Sequence, residues 1–200
     1  MCSKTGVGVA QQIESRIGQR SREQANGRFV DQSVLFALME WEEIASEFDP
    51  DDGLRDIYVL EASLRDWQVV LDAIRDFQPN PIYAVDGVLE DLPTRVEHIF
   101  QRRLDASPMM SFRLLDMTLN CHFFGSDPAE NDLQLIEFDL DPGEVTTSEH
   151  LGSLIDFMEL LGTLTNKAVI LTPENCMESP ILEYDPQSRD VVWKPPQHPR

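Results

Sequence analysis

The sequence predicts an α+β domain: a single mixed, largely antiparallel sheet packed by about four helices, with a βαβ-like unit toward the N-terminus. The observations behind this are apolar residues at helical spacing in some segments, strict alternation in others, and a run of short strand-like segments joined by polar loops. A chain of 200 residues, 42% hydrophobic and 26% charged, suits one domain, and at this size roughly 70% of the unfolded surface is buried on folding.

Each expected element has a local reason. Val34, Leu38, Trp41, Ala45 and Phe48 recur at helical spacing until "DPDDG" stops the helix. "RDIYVLEA" is strand-like. Ser63 then caps a helix through "LRDWQVVLDAIRDF", supported by Asp66 and buried along Leu64, Trp67, Val70, Leu71, Ile74 and Phe77. "QPNP" ends that helix and "IYAVDG" starts another strand, so a right-handed βαβ unit is expected. Thr94 with Glu97 suggests a capping box for a helix carrying Val96, Ile99, Phe100 and Leu104.

"MSFRLLDM", "NCHFF" and "LQLIEFDLD" follow as an antiparallel meander. Thr146 with Glu149 suggests a second capping box, for a helix burying Leu151, Leu154, Ile155, Met158 and Leu161 and closing at Asn166. "AVILT" has the wholly apolar character of an interior strand, and "ILEY" and "DVVW" flank "DPQSR" as a hairpin. The expected organisation is a mobile basic arm over 1–27, one acidic domain over 28–196 and a tail over 197–200.

The formal net charge of -20 is the outlying property of the composition. It is unevenly spread: residues 1–28 carry Lys4, Arg16, Arg20, Arg22 and Arg28 against Glu14 and Glu23, so the excess of acid falls on the rest of the chain. An acidic field repels phosphate backbones and anionic lipid and speeds association with basic protein surfaces. Neither nucleic acid nor membrane is therefore an expected partner, whereas a basic protein is. Acidity that serves only solubility is the plain alternative.

Cys2, Cys121 and Cys176 are odd in number and form no CxxC pair, which points to reduced thiols in a cytoplasmic protein rather than a disulfide framework or zinc knuckle. No HExxH, EF-hand, phosphate-binding glycine loop or GxSxG elbow is present. The reading leans away from an enzyme, and no cofactor is expected.

Chemistry concentrates in "NCHFF" and "LIEFDLD". If these pair as a hairpin, Leu119, Cys121 and Phe123 lie over Ile136, Phe138 and Leu140 toward the core, leaving Asn120, His122 and Phe124 beside Leu135, Glu137, Asp139 and Asp141 on the other face. Three uses compete. The acids can be the wet side of a half-buried sheet. They can form a docking surface for Arg and Lys, with Glu137, Asp139 and Asp141 as charges and Phe124, Leu135 and the edge residue Trp193 as apolar anchors. They can, with His122, supply a divalent-metal site (His122, Glu137, Asp139, Asp141) to a hydrolase or phosphoryl-transfer enzyme. A structural or small-ligand-binding module is a further alternative.

The size and acid excess resemble those of immunity and inhibitor proteins that neutralise basic toxins, and the resemblance implies a non-enzymatic binding role. Arg16, Arg20 and Arg22 of the arm are candidates to screen the acidic face in the free protein. Asp86 in "AVDGVLED" reads as a turn residue, and His98 and His150 as surface residues.

Overall fold

The computed structural model describes residues 41–78, 80–123 and 135–195. The basic arm, Val34, Leu38, Phe124 and the tail fall outside them. Residues 41–44 are helical and tighten into a 3-10 turn, Ala45–Phe48, that inserts Phe48 into the core. Then follow β1 (Arg55–Val59), α1 (Leu64–Phe77), β2 (Ile82–Val85), β3 (Val88–Leu89), α2 (Val96–Arg103), β4 (Pro108–Leu114), β5 (Met117–His122) and β6 (Ile136–Leu140). A 3-10 turn, Pro142–Glu144, leads into α3 (Ser148–Thr165), β7 (Val169–Pro173), β8 (Leu182–Asp185) and β9 (Asp190–Trp193).

The strands form one nine-stranded sheet in the order β3-β2-β4-β5-β6-β1-β7-β8-β9, and every neighbouring pair is antiparallel. The α+β class and the single sheet are as expected, and the meander β4-β5-β6 and the hairpin β8-β9 stand where they were read. The βαβ-like unit takes a wider form: β1 and β2 point the same way, yet β6, β5 and β4 lie between them. The parallel partner that β1 was expected to find is replaced by β6 and β7, which pair with it residue for residue.

Alternation divides the sheet into two faces. Ile57, Val59, Tyr83, Val85, Phe112, Leu119, Cys121, Phe138, Leu140 and Leu171 point one way and share a single core with Trp67, Leu71 and Ile74 of α1, Ile99 of α2 and Leu154, Phe157, Met158 and Leu161 of α3. Rings knit this core at its centre, with Phe138 edge-on to both Phe112 and Phe157 at centroid distances of 6.0 and 5.2 Å. Gly162 lets α3 sit close to the sheet, since a Cβ there would lie 2.1 Å from Cε1 of Tyr184.

The helix ends show where local reading worked and where it did not. Ser63 and Asp66 form the expected reciprocal capping box on α1. At α2 the expected Thr94–Glu97 box is absent: Arg95 is the cap residue without a side-chain bond, and Gln68 of α1 accepts the Val96 N–H through Oε1 at 2.9 Å. Glu97 pairs with Arg95 instead. At α3 the cap is Thr147, one residue later than expected, accepting from His150 N. Asn166 closes α3 in the left-handed conformation, φ 55°. Asp86 and Gly87, both at positive φ, make the tight turn between β2 and β3.

Candidate functional site

The second face of the sheet bears none of the core cluster and carries the candidate site. Its centre is built by β5 and β6 in the expected register, Asn120 opposite Asp139, Cys121 opposite Phe138 and His122 opposite Glu137. Alternation sends Cys121 and Phe138 into the core and leaves the four polar side chains together on the far side.

β1 completes the site, placing Asp56 opposite Asp139 and Tyr58 opposite Glu137. Two cross-strand rows result. One runs Ser111, Asn120, Asp139, Asp56, Thr172 across β4, β5, β6, β1 and β7. The other passes through all nine strands as Leu89, Ala84, Met109, His122, Glu137, Tyr58, Ile170, Glu183 and Val192.

The first row is a hydrogen-bond relay. Ser111 Oγ donates to Asn120 Oδ1 at 2.8 Å, and Asn120 Nδ2 donates to Asp139 Oδ1 at 2.8 Å. The other oxygen of Asp139 meets His122 Nε2 at 2.5 Å. This contact raises the His122 pKa above the ordinary imidazole value, against the opposing effect of burial. Asp56, buried, accepts from Tyr58 OH at 2.7 Å and from the backbone N–H of Asn175 at 2.7 Å, so the loop after β7 is fastened to this face. Burial, and the Asp56 bond after it, push the Tyr58 pKa far above that of a free phenol.

Glu137 differs from its neighbours. It is half-buried between His122 and Tyr58, and among the described residues no hydrogen bond or ion pair reaches its carboxylate. Burial, followed by repulsion from Asp56, raises its pKa to about 7; His122 pulls the other way and Asp139 adds to the rise. At neutral pH this carboxyl is therefore divided between its protonated and charged forms. The physical meaning is that burial first, and then the neighbouring carboxylates, disfavour the charged form.

The sequence-derived site residues distribute unevenly. His122, Glu137 and Asp139 come together as expected. Asp141 leaves the group, because β6 ends at Leu140 and the Asp141 carboxylate turns to accept Gly143 N–H at 2.8 Å as the cap of the following turn. Leu135 is partly buried just before β6, and Phe124 lies outside the described residues. Trp193 stands opposite Leu182 and packs at the edge of the core, on the helix-bearing face and not beside Glu137.

Among the described residues no group of three or more His, Cys, Asp or Glu side chains is arranged to hold a metal ion. Both oxygens of Asp139 are already engaged, which accounts for part of this. Asp56 and Tyr58 were missed by the sequence reading. The available signal was the alternation of "RDIYV", which places both on one face; what it lacked was the identity of β1's neighbours.

His150 also departs from its expected surface role. Its Nε2 lies 2.7 Å from Asp116 Oδ1 and its Nδ1 accepts Thr146 N–H at 3.1 Å, tying the start of α3 to the β4-β5 turn. Among the described residues no helix is long and apolar enough to cross a membrane. Comparison with protein-family models, with curated proteins and with solved structures finds no match.

Proposed function

We propose that this chain is a non-enzymatic, cytoplasmic acidic protein that receives a basic protein partner on the second face of its sheet, as an inhibitor or immunity-type protein does. The observation that carries the reading is Glu137, a half-buried carboxyl beside two further carboxylates, with no hydrogen-bond donor among the described residues. An incoming guanidinium or ammonium would pair with it, return its proton to solvent and offset its desolvation. The net charge of -20 would steer such a partner from a distance. The inhibitor or immunity role rests on size and charge alone.

The test is binding of an arginine-rich peptide to the full chain at low and high salt. Affinity should fall steeply as salt rises, and Glu137→Gln should weaken it by about tenfold, the equivalent of ~1.4 kcal/mol. Binding that ignores both salt and Glu137→Gln would sink the reading. Melting with Mn²⁺ separates the metal-enzyme alternative: a site filled at 100 times its dissociation constant stabilises by about 2.7 kcal/mol, and such a shift would favour that alternative.

A further inference from the structure

The row that carries His122 and Glu137 continues to the β3 edge as Met109, Ala84 and Leu89. Ile82 lies on the same face, two residues from Ala84. Ile82 is 59% exposed, Leu89 73% and Met109 36%, whereas Ala84 between them is buried at 8%. Single exposed apolar side chains need no explanation, but three around one small floor residue, on three adjacent strands, make a contiguous patch of the kind that marks interaction sites. β3, an edge strand of only two residues, ends the sheet on Val88 and Leu89, both exposed.

Charged side chains flank the patch on the same face, Arg113 of β4 beyond Ser111, which stands opposite Ile82, and the His122–Glu137 pair on the inward side. Moving inward from Met109, the next side chains are His122 and then Glu137. Carboxylates alone attract any basic surface and discriminate poorly; an apolar patch at a fixed distance adds selectivity. With strands ~4.8 Å apart, Met109 on β4 lies two strands, or about 10 Å, from Glu137 on β6.

We propose that Ile82, Leu89 and Met109 form the apolar half of the docking surface, so that the partner presents a leucine-like side chain about 10 Å from the cation that meets Glu137. This rests on the function proposed above. The occupant is a basic protein segment carrying both groups, since the charge of this face selects a cation and the patch selects its neighbour.

Three 15-residue helical peptides test it on the full chain: one with Arg and Leu seven residues apart, which at 1.5 Å per residue spans about 10 Å on one helix face, one with that Leu replaced by Gln, and one with that Arg replaced by Gln. The Arg-Leu peptide should bind about tenfold tighter than Arg-Gln, a difference of ~1.4 kcal/mol. Met109→Asp should abolish that advantage, Leu89→Asp, two strands beyond Met109, should reduce it, and Glu137→Gln should abolish the preference for Arg.

Equal binding of the Arg-Leu and Arg-Gln peptides, both weakened by Glu137→Gln, would overturn the apolar half and leave the acidic-face reading standing. If Glu137→Gln weakened neither, the reading beneath would fail. A dimer in sedimentation that Leu89→Asp dissolves would make a second copy the occupant and overturn the proposal. So would tighter binding by a peptide copying residues 13–28, which would make the chain's own basic segment the occupant.

Discussion

Replacing Glu137 by Gln should make the protein more stable at alkaline pH while removing its cation preference. The folded chain holds this carboxyl at about 7 against an ordinary value of 4.5. At ~1.36 kcal/mol per pK unit the full shift corresponds to about 3.4 kcal/mol, and solvent screening of a half-exposed group reduces this to roughly 1–2 kcal/mol. The sign follows from proton binding. Between 4.5 and about 7 the folded state binds the Glu137 proton more tightly than the unfolded state, so stability is lost as pH rises through that window. Gln imitates the protonated form at every pH.

Urea unfolding of both proteins, followed by tryptophan fluorescence, should therefore show Glu137→Gln more stable by roughly 1–2 kcal/mol at pH 8, with unchanged m-value, and by only a few tenths at pH 5. A gain equal at the two pH values, or a loss at pH 8, would refute the reasoning. A variant that gains stability as it loses binding is the pattern expected where a binding site holds a charge it cannot itself satisfy.

Asp139→Asn removes the charged partner of His122, so the imidazole should titrate at lower pH, as read from its ring-proton NMR shifts; in the native protein this pair contributes stability below the ordinary His value that is lost as pH rises through the raised one. Gly162→Ala forces a Cβ against the buried Tyr184 ring and should cost about 1–3 kcal/mol in urea unfolding, partly recovered in the double variant with Tyr184→Leu; strict additivity of the two changes would contradict the contact. Gln68→Ala leaves the Val96 N–H without its acceptor and should cost ~1 kcal/mol, with faster hydrogen exchange in the first turn of α2.

Periodicity made most elements legible because each depends on residues close in sequence. The α1 capping box, the left-handed Asn166, the register of β5 on β6 and the β8-β9 hairpin were all readable from patterns a few residues long. Pairing between distant strands was not. Nothing in "RDIYV" says that its neighbours are "IEFDL" and "VILTP", so Asp56 and Tyr58 stayed outside the expected site although their alternation was plain. The same limit explains α2: the acceptor for Val96 comes from Gln68, and no local capping rule anticipates a side chain from another helix. The face that Trp193 occupies is set by its pairing with Leu182, which its position in the edge hairpin did not reveal. Asp141 shows the converse, a strand-like alternation cut short by a proline one residue later.

The place of β1 in the sheet bears on how the chain is made. It emerges early, but its two pairing partners are β6 at Ile136–Leu140 and β7 at Val169–Pro173. Until residue 140 has left the ribosome both edges of a strand containing Ile57, Tyr58 and Val59 remain unpaired, and the second edge stays open until residue 173. The sheet therefore cannot grow from one end in the order of synthesis; its middle closes late, after the β2–β5 segment is already available to pair. Such long-range closure slows folding, and it makes the pairing of Asp56 with Asp139, and with it the site, wait for β6, about eighty residues after β1.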